Sequence, residues 1–318
     1  MIIGRVPPSF KEAVIKYPTA PMGARPGRKT MSLAVQAFVI NLDRSPERMA
    51  NMERRLGCQP IQWHRVPAID GHRLERSSVE DVDAAGYRWR HGKSLNPAEV
   101  GCYLSHLRAL DQFLRSDAEY GLLLEDDAAF PADFAGLLAR LIQVDHLWDV
   151  VKLSGFHSGT PIHVEQLVGP YALAVPLSRH MNANCILYSR RAARILSQRL
   201  RPMTLPFDHA LERAWLHGLK PRIVTPAPCP ADTGMTSTIG DRMHLKRFKF
   251  PIHRRVPAML FRLQTEVLRF VFGLREVAGA FGASAMYLRQ RPGKPFRPPS
   301  LERPAPRSGG QARTSGQR

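Results

Sequence analysis

Glu125-Asp126-Asp127 sets three carboxylates in a row, directly after the apolar run Tyr120-Gly121-Leu122-Leu123-Leu124. The run reads as a short buried strand, so the carboxylates sit at its end. Adjacent carboxylates repel one another and are costly without a partner. A hard divalent cation with oxygen ligands is the simplest partner, and Mg²⁺ or Mn²⁺ often bridges one or two carboxylates to a substrate phosphate. The chemistry implied is metal-assisted work on a phosphate-bearing substrate. A solvated loop, or the acidic first turn of the next helix, is the plainer alternative. The surrounding sequence has to decide between them.

The elements around the triplet alternate. Val35 to Ile40 reads as the first strand, followed by the loop Asn41-Leu42-Asp43-Arg44. Ser45-Pro46 supplies an N-cap and a first-turn proline for a helix to about Leu56, and Gly57 can end it. Ile61 to Val66 is a second strand. Asn96-Pro97-Ala98-Glu99 has the form of a capping box, with Asn in place of Ser or Thr, and opens a helix to about Leu114. After the triplet come a helix from about Ala132, a strand over 149–153, a strand from Asn184 to Tyr188, and a helix from Ser189 to Leu200. A further helix is expected from about Asp208 to His217, stopped by Gly218. Alternation of this kind implies an α/β sheet.

The chain has 318 residues, enough for one large core or two ordinary ones. Its formal net charge is +19, but the charge is uneven: +5 over residues 1–30, +13 over residues 241–318, and close to neutral between. The basicity therefore belongs to the flanks. Such flanks suit an anionic membrane surface as well as nucleic acid. Cys58, Cys102, Cys185 and Cys229 form no CxxC pair, which argues against a zinc site or a disulfide framework. No apolar run is long enough to span a bilayer, and the first 30 residues lack a secretory pattern.

Residues 1–30 read as a disordered extension, with Met31 a candidate start, and residues 31–245 as the catalytic domain. Residues 246–290 are a basic amphipathic region and 291–318 a disordered basic tail. Met259, Leu260, Leu263, Val267, Leu268, Phe270, Val271 and Leu274 form an apolar face at helical spacing, interleaved with Arg262, Arg269 and Arg275. Two readings stand: an interfacial helix on an anionic bilayer, or a helix packed on the core with its basic residues facing water.

Four segments in order carry a resemblance. They are Phe38-Val39-Ile40-Asn41-Leu42-Asp43-Arg44-Ser45-Pro46-Glu47-Arg48, then Pro67-Ala68-Ile69-Asp70-Gly71, then Glu99-Val100-Gly101-Cys102-Tyr103-Leu104-Ser105-His106, and Leu122-Leu123-Leu124-Glu125-Asp126-Asp127-Ala128. The set resembles glycosyltransferase family 25, which includes bacterial lipooligosaccharide galactosyltransferases and collagen galactosyltransferases. The likeness extends over roughly residues 34–242. It implies a GT-A-like fold, a Rossmann-like mixed sheet flanked by helices, with a nucleotide-sugar donor, Mn²⁺ or Mg²⁺, and inversion at the anomeric carbon.

Carried onto this sequence, the resemblance places the metal at Glu125 and Asp127, with Asp126 turned to the ribose or the backbone. Asn41 and Leu42 would meet the base or ribose, and Arg44 and Arg48 the diphosphate. Asp70 would accept from a ribose hydroxyl or uracil. Ser105 and His106 are expected at the donor site, and Lys152 beside the diphosphate. Asp208 is the candidate general base, with Glu212 in reserve and His209 near the metal or acceptor. Ser237 and Arg242 are expected on a closing loop that contains Gly234 and Gly240.

The leading expectation is a hexosyltransferase, with galactose moved from UDP-galactose to a lipopolysaccharide-core or other cell-surface glycan. It is expected in the cytoplasm, held at the inner face of a bacterial inner membrane, with no nucleic-acid partner. The competing classes are a metal-dependent phosphohydrolase and a degenerate membrane-binding module.

Overall fold

The computed structural model describes residues 34–74, 80–155, 159–230 and 247–290. The N-terminal extension, the tail from Arg291, and the loop residues Gly234, Ser237, Gly240 and Arg242 lie outside the described residues. The α/β class expected from the sequence is found, as one mixed sheet of eight strands in the order β2-β1-β3-β7-β4-β8-β6-β5.

The strands are β1 (Val35–Asn41), β2 (Gln62–Pro67), β3 (Tyr120–Glu125), β4 (Val150–Lys152), β5 (Pro161–Gln166), β6 (Ala172–Pro176), β7 (Cys185–Ser189) and β8 (Pro221–Thr225). The helices are α1 (Pro46–Gly57), α2 (Ala84–His91), α3 (Pro97–Arg115), α4 (Phe134–Gln143), α5 (Arg190–Arg199), α6 (Phe207–Leu211) and α7 (Val256–Gln290). Strand β1 runs parallel to both β2 and β3, so Asn41, Pro67 and Glu125 end side by side. β7 then enters antiparallel, with Leu124 opposite Cys185, and brings the residues preceding it to the end of β3.

Both faces of the sheet are covered, which explains why β3 is apolar throughout. Val35, Ala37, Val39, Leu122 and Leu124 pack with Met52, Leu56, Phe134 and Leu137 of α1 and α4. Phe38, Ile40 and Leu123 pack on the other face with Tyr103, Leu107, Leu110 and Phe113 of α3, and with Leu196 of α5. The alternation along β1 and β3 is the period-two pattern of a strand buried on both sides.

Helix α3 starts as read, with Asn96 Oδ1 accepting from the Ala98 N–H at 3.1 Å. The capping box does not close. Glu99 instead accepts from the Tyr87 hydroxyl and lies 3.5 Å from Lys93 Nζ. The single helix expected from Asp208 to His217 is instead α6 followed by a short 3-10 turn over Ala214–His217, ended by Gly218 at φ 68°. Helix α2 and strands β5, β6 and β8 were not anticipated.

A close crossing locks the β2–α3 connection. A Cβ on Gly101 would lie 2.5 Å from the Ile69 carbonyl oxygen and 2.6 Å from Gly71 N. Ser105 Oγ accepts from Ile69 N–H at 2.8 Å and donates to the Gly101 carbonyl at 2.6 Å. The loop carrying Asp70 is thus held on α3 by backbone contact. Gly101→Ala is expected to destabilise the fold by roughly 1–3 kcal/mol through overpacking. Gly57→Ala, where a Cβ meets nothing within 4 Å, should be neutral or slightly stabilising. Thermal denaturation of the two variants compares them directly, and equal melting temperatures would contradict the crossing.

Candidate active site

An open cleft lies outside the C-terminal ends of β1, β2 and β3. Open α/β sheets bind their ligands at this position. Leu42, Arg44, Arg48, Asp70, Ser105, His106, Glu125, Asp126 and Asp127 all line it, together with Cys102. Nine of the residues named from the sequence therefore meet in one place.

Each carboxylate of the triplet faces a different partner. Asp126 turns inward, accepting from Asn41 Nδ2 at 2.8 Å and from Arg48 at 2.7 Å. Asn41 is buried beneath the cleft rather than lining it, and its amide also donates to the Ser45 carbonyl at 2.9 Å. Asp127 lies 3.1 Å from Arg48 and accepts from Asn184 Nδ2. Glu125 Oε1 lies 3.1 Å from His106 Nε2 and 4.0 Å from Cys102 Sγ. One guanidinium therefore serves two of the three carboxylates, and the third faces His106. Burial and the neighbouring Glu125 push the Asp127 carboxyl up to about 6. Burial also raises Asp126, while Asn41 and Arg48 pull it back.

This imbalance is what a divalent cation would relieve. The donor set fits one: Glu125 and Asp127 are hard oxygen ligands, and the buried Asn184 Oδ1 beside them has no hydrogen-bond partner among the described residues. Cys102 Sγ, His106 Nε2 and Glu125 Oε1 also cluster within 4.8 Å of one another. Burial and Glu125 keep the Cys102 thiol protonated well above its ordinary range, so it is a poor ligand beside the carboxylates.

On the other side of the cleft, Arg44 pairs with Asp70, and Arg73 Nε stands 3.7 Å from the same carboxylate. Ser105 is spent on the loop crossing. The His106 ring stacks on Phe207 of α6, with centroids 4.1 Å apart, which ties α6 to α3. Asp208 follows Phe207. It does not line the cleft, but its charge reaches Cys102 and Tyr87. One of its oxygens accepts the His209 N–H at 2.8 Å. The His209 ring meets the His91 ring, centroids 5.0 Å apart, and burial holds it below the usual histidine range.

Lys152 and Glu212 are not brought to this cleft. They pair with each other at 2.8 Å in a buried cluster between β4 and the helices. Glu212 also accepts from His180 N at 3.0 Å and lies 3.6 Å from Arg269. Lys152 and Arg269 hold its carboxyl below the ordinary range despite burial. A carboxylate held by two cations and a backbone N–H is a weak base, and Lys152 does not line the cleft that holds the acidic triplet.

Asn184 was missed. Its signal in the sequence is Asn182-Ala183-Asn184 directly before β7. Asn182 takes φ 115°, and its side chain accepts from Asn184 N at 3.0 Å, a local turn that aims Asn184 at the triplet.

Two expected outcomes follow. The folded-state value of Asp127 is raised, so its contribution to stability is full near pH 4 and is lost as pH climbs through about 6. Without metal, Asp127→Asn should be more stable than the parent at pH 7 by roughly 1–3 kcal/mol, with the gain gone near pH 4. Denaturant titrations across pH test this, and added Mn²⁺ should raise the melting point of the parent but not of the variant. Lys152→Met should destabilise by about 3–5 kcal/mol by stranding Glu212. Nucleotide affinity of the folded fraction should not change, and a selective loss of affinity would return Lys152 to the donor site.

The model described as glycosyltransferase family 25 (LPS biosynthesis protein) matches residues 34–168. The protein named inactive glycosyltransferase 25 family member 3 of Homo sapiens is 30% identical over 154 residues, covering 45% of this chain and 26% of its own. Procollagen galactosyltransferase 1 of Danio rerio is 34% identical over 112 residues, 34% of this chain and 18% of its own. The chain thus spans a third or less of the length of these relatives. Among solved structures, a mannosyltransferase from Pyrobaculum calidifontis in complex with GDP-Man and Mn²⁺ aligns over 80% of this chain and 75% of its own, at 11% identity and a TM-score of 0.35. The segments that build the cleft up to and including the acidic triplet all lie within residues 34–168, which match the glycosyltransferase family 25 domain.

Proposed function

We propose that this protein is a metal-dependent inverting glycosyltransferase. It moves a hexose, galactose from UDP-galactose in the first instance, to a lipopolysaccharide-core or other cell-surface glycan. The observation that carries this reading is the charge imbalance at the end of β3, where three consecutive carboxylates line an open cleft and one guanidinium pairs with two of them. The family description and the galactosyltransferase name of a relative support the substrate class.

On this reading Glu125 and Asp127 hold Mn²⁺ or Mg²⁺, which when bound would stabilise negative charge on the departing diphosphate. Arg48 stays with Asp126 and Asp127 and fixes the spacing of the acidic end. Arg44 and Asp70 form a pair at the cleft rim that a ribose or phosphate can open. The Asn41 amide holds Asp126 inward, so that only part of the triplet faces the donor. Asp208 takes the proton of the acceptor hydroxyl as that oxygen attacks the anomeric carbon on the side opposite the leaving nucleotide. The products are the inverted glycoside and the nucleoside diphosphate.

Some relatives bear names that call them inactive, so binding is the first test and turnover the second. Calorimetry with a panel of nucleotide sugars, in Mn²⁺, Mg²⁺ or chelator, should give metal-dependent binding of a UDP-sugar. The absence of binding by any member to folded protein would overturn the reading. Asp127→Ala should abolish transfer. Asp208→Asn should lower kcat by about 10²–10⁴ with donor affinity unchanged. Full transfer by Asp208→Asn would remove it as the base, and phosphate release without sugar transfer would favour a phosphohydrolase.

A further inference from the structure

Helix α7 is built inside out. The fully buried residues of its docked side are small or polar: Ala258, Thr265, Arg269, Gly273 and Ala280 are buried, with Phe261, Phe272 and Val277 half-buried beside them. That side is fastened by specific bonds. Arg222 of β8, itself fully buried, donates to Glu276 at 2.8 Å, Arg213 donates to Thr265 Oγ1 at 2.6 Å, and Arg262 donates to the His91 carbonyl at 2.8 Å. The outward side is apolar. Met259, Leu260, Leu263, Val267, Val271 and Leu274 are 49–62% exposed. Their spacing puts them on one continuous stripe. A surface helix ordinarily does the reverse, because a large apolar side chain left in water forgoes the gain of burial. Contiguous apolar surface of this kind marks an interaction face.

Charge says what covers it. The two acidic residues of α7 both point inward and are engaged: Glu276 with Arg222, and Glu266 with Arg269 at 2.8 Å. The outward side and its N-terminal approach carry only cations, with Arg247, Lys249, Arg254 and Arg275 exposed. A second copy would offer the same basic stripe and no carboxylate to meet it. An anionic surface with an apolar interior meets both properties at once. No helix among the described residues is long and apolar enough to cross a membrane, so the helix lies along the surface.

We propose that α7 is a membrane-surface helix. It rests in the headgroup region of an anionic bilayer with its apolar stripe in the upper acyl layer and its exposed arginines on the phosphates. The proposal needs nothing from the catalytic reading, because none of these residues touches the cleft.

The test uses the full chain and co-sedimentation with vesicles of phosphatidylcholine alone or mixed with phosphatidylglycerol. Binding is expected to the mixed vesicles and to weaken with salt. The triple variant Leu263→Ser, Val267→Ser, Val271→Ser should bind at least about tenfold more weakly while keeping its melting temperature, because all three side chains already face water. The variant Arg254→Gln, Arg275→Gln should lose the preference for anionic lipid, and it supplies the answer should the serine variant not fold. Failure of the parent chain to bind mixed vesicles would overturn the proposal. So would undiminished binding by the serine variant, which would assign the attraction to the basic flank alone. A dimer in sedimentation velocity that the serine variant abolishes and vesicles do not disperse would give the face to a second copy instead.

Discussion

The architecture is organised around an unbalanced charge. Three carboxylates at the end of a strand buried on both faces cannot be left to water, and the protein answers with His106 beside Glu125 and, for the two aspartates, one arginine and two amides. The partners of the aspartates come from three places: Asn41 from the neighbouring strand end, Arg48 from the first turns of α1, and Asn184 from the approach to β7. They converge only because β1, β3 and β7 are adjacent in the sheet. The strand order and the residual negative charge are parts of one arrangement, since a different order would leave the carboxylates with other neighbours.

A second charged cluster shows the contrast. Around Glu212 each charge has an opposite one: Lys152, the His180 N–H and Arg269 surround one carboxylate, and Arg269 also meets Glu266. Charges so matched can be buried. At the cleft the same residue types stop short of neutrality and remain partly open to solvent. Chemistry is associated here with the incomplete set and fold integrity with the complete one.

Much of this was legible in the residues. Strands β1 and β3 announced themselves as apolar runs ending at polar clusters, and α1 and α3 by Ser45-Pro46 and Asn96-Pro97. Strands β5, β6 and β8 were not; β5 and β8 begin at proline, which signals a turn more readily than a strand. Most of the cleft was found because its residues lie near one another in ordered segments. Lys152 was misplaced because its partner lies 60 residues away, a distance over which local pattern carries no information. Glu99 had the right spacing to cap its own helix, but Tyr87 and Lys93 claimed it. The periodicity of α7 declared an amphipathic helix without saying which side would dock. Only the buried partners Arg222, Arg213 and Glu212 decide that, by taking the polar side.

The tie between β8 and α7 has a consequence for how the molecule is made. Arg222 leaves the ribosome 54 residues before Glu276. During that interval a strand interior to the sheet carries a cation with no counter-charge, and Glu212 lacks one of its two cations. The β4–β8 side of the sheet therefore lacks these partners until α7 has been made, while β1, β2 and β3 can already pair. The residues of the acidic end are all synthesised before those of the helical clasp.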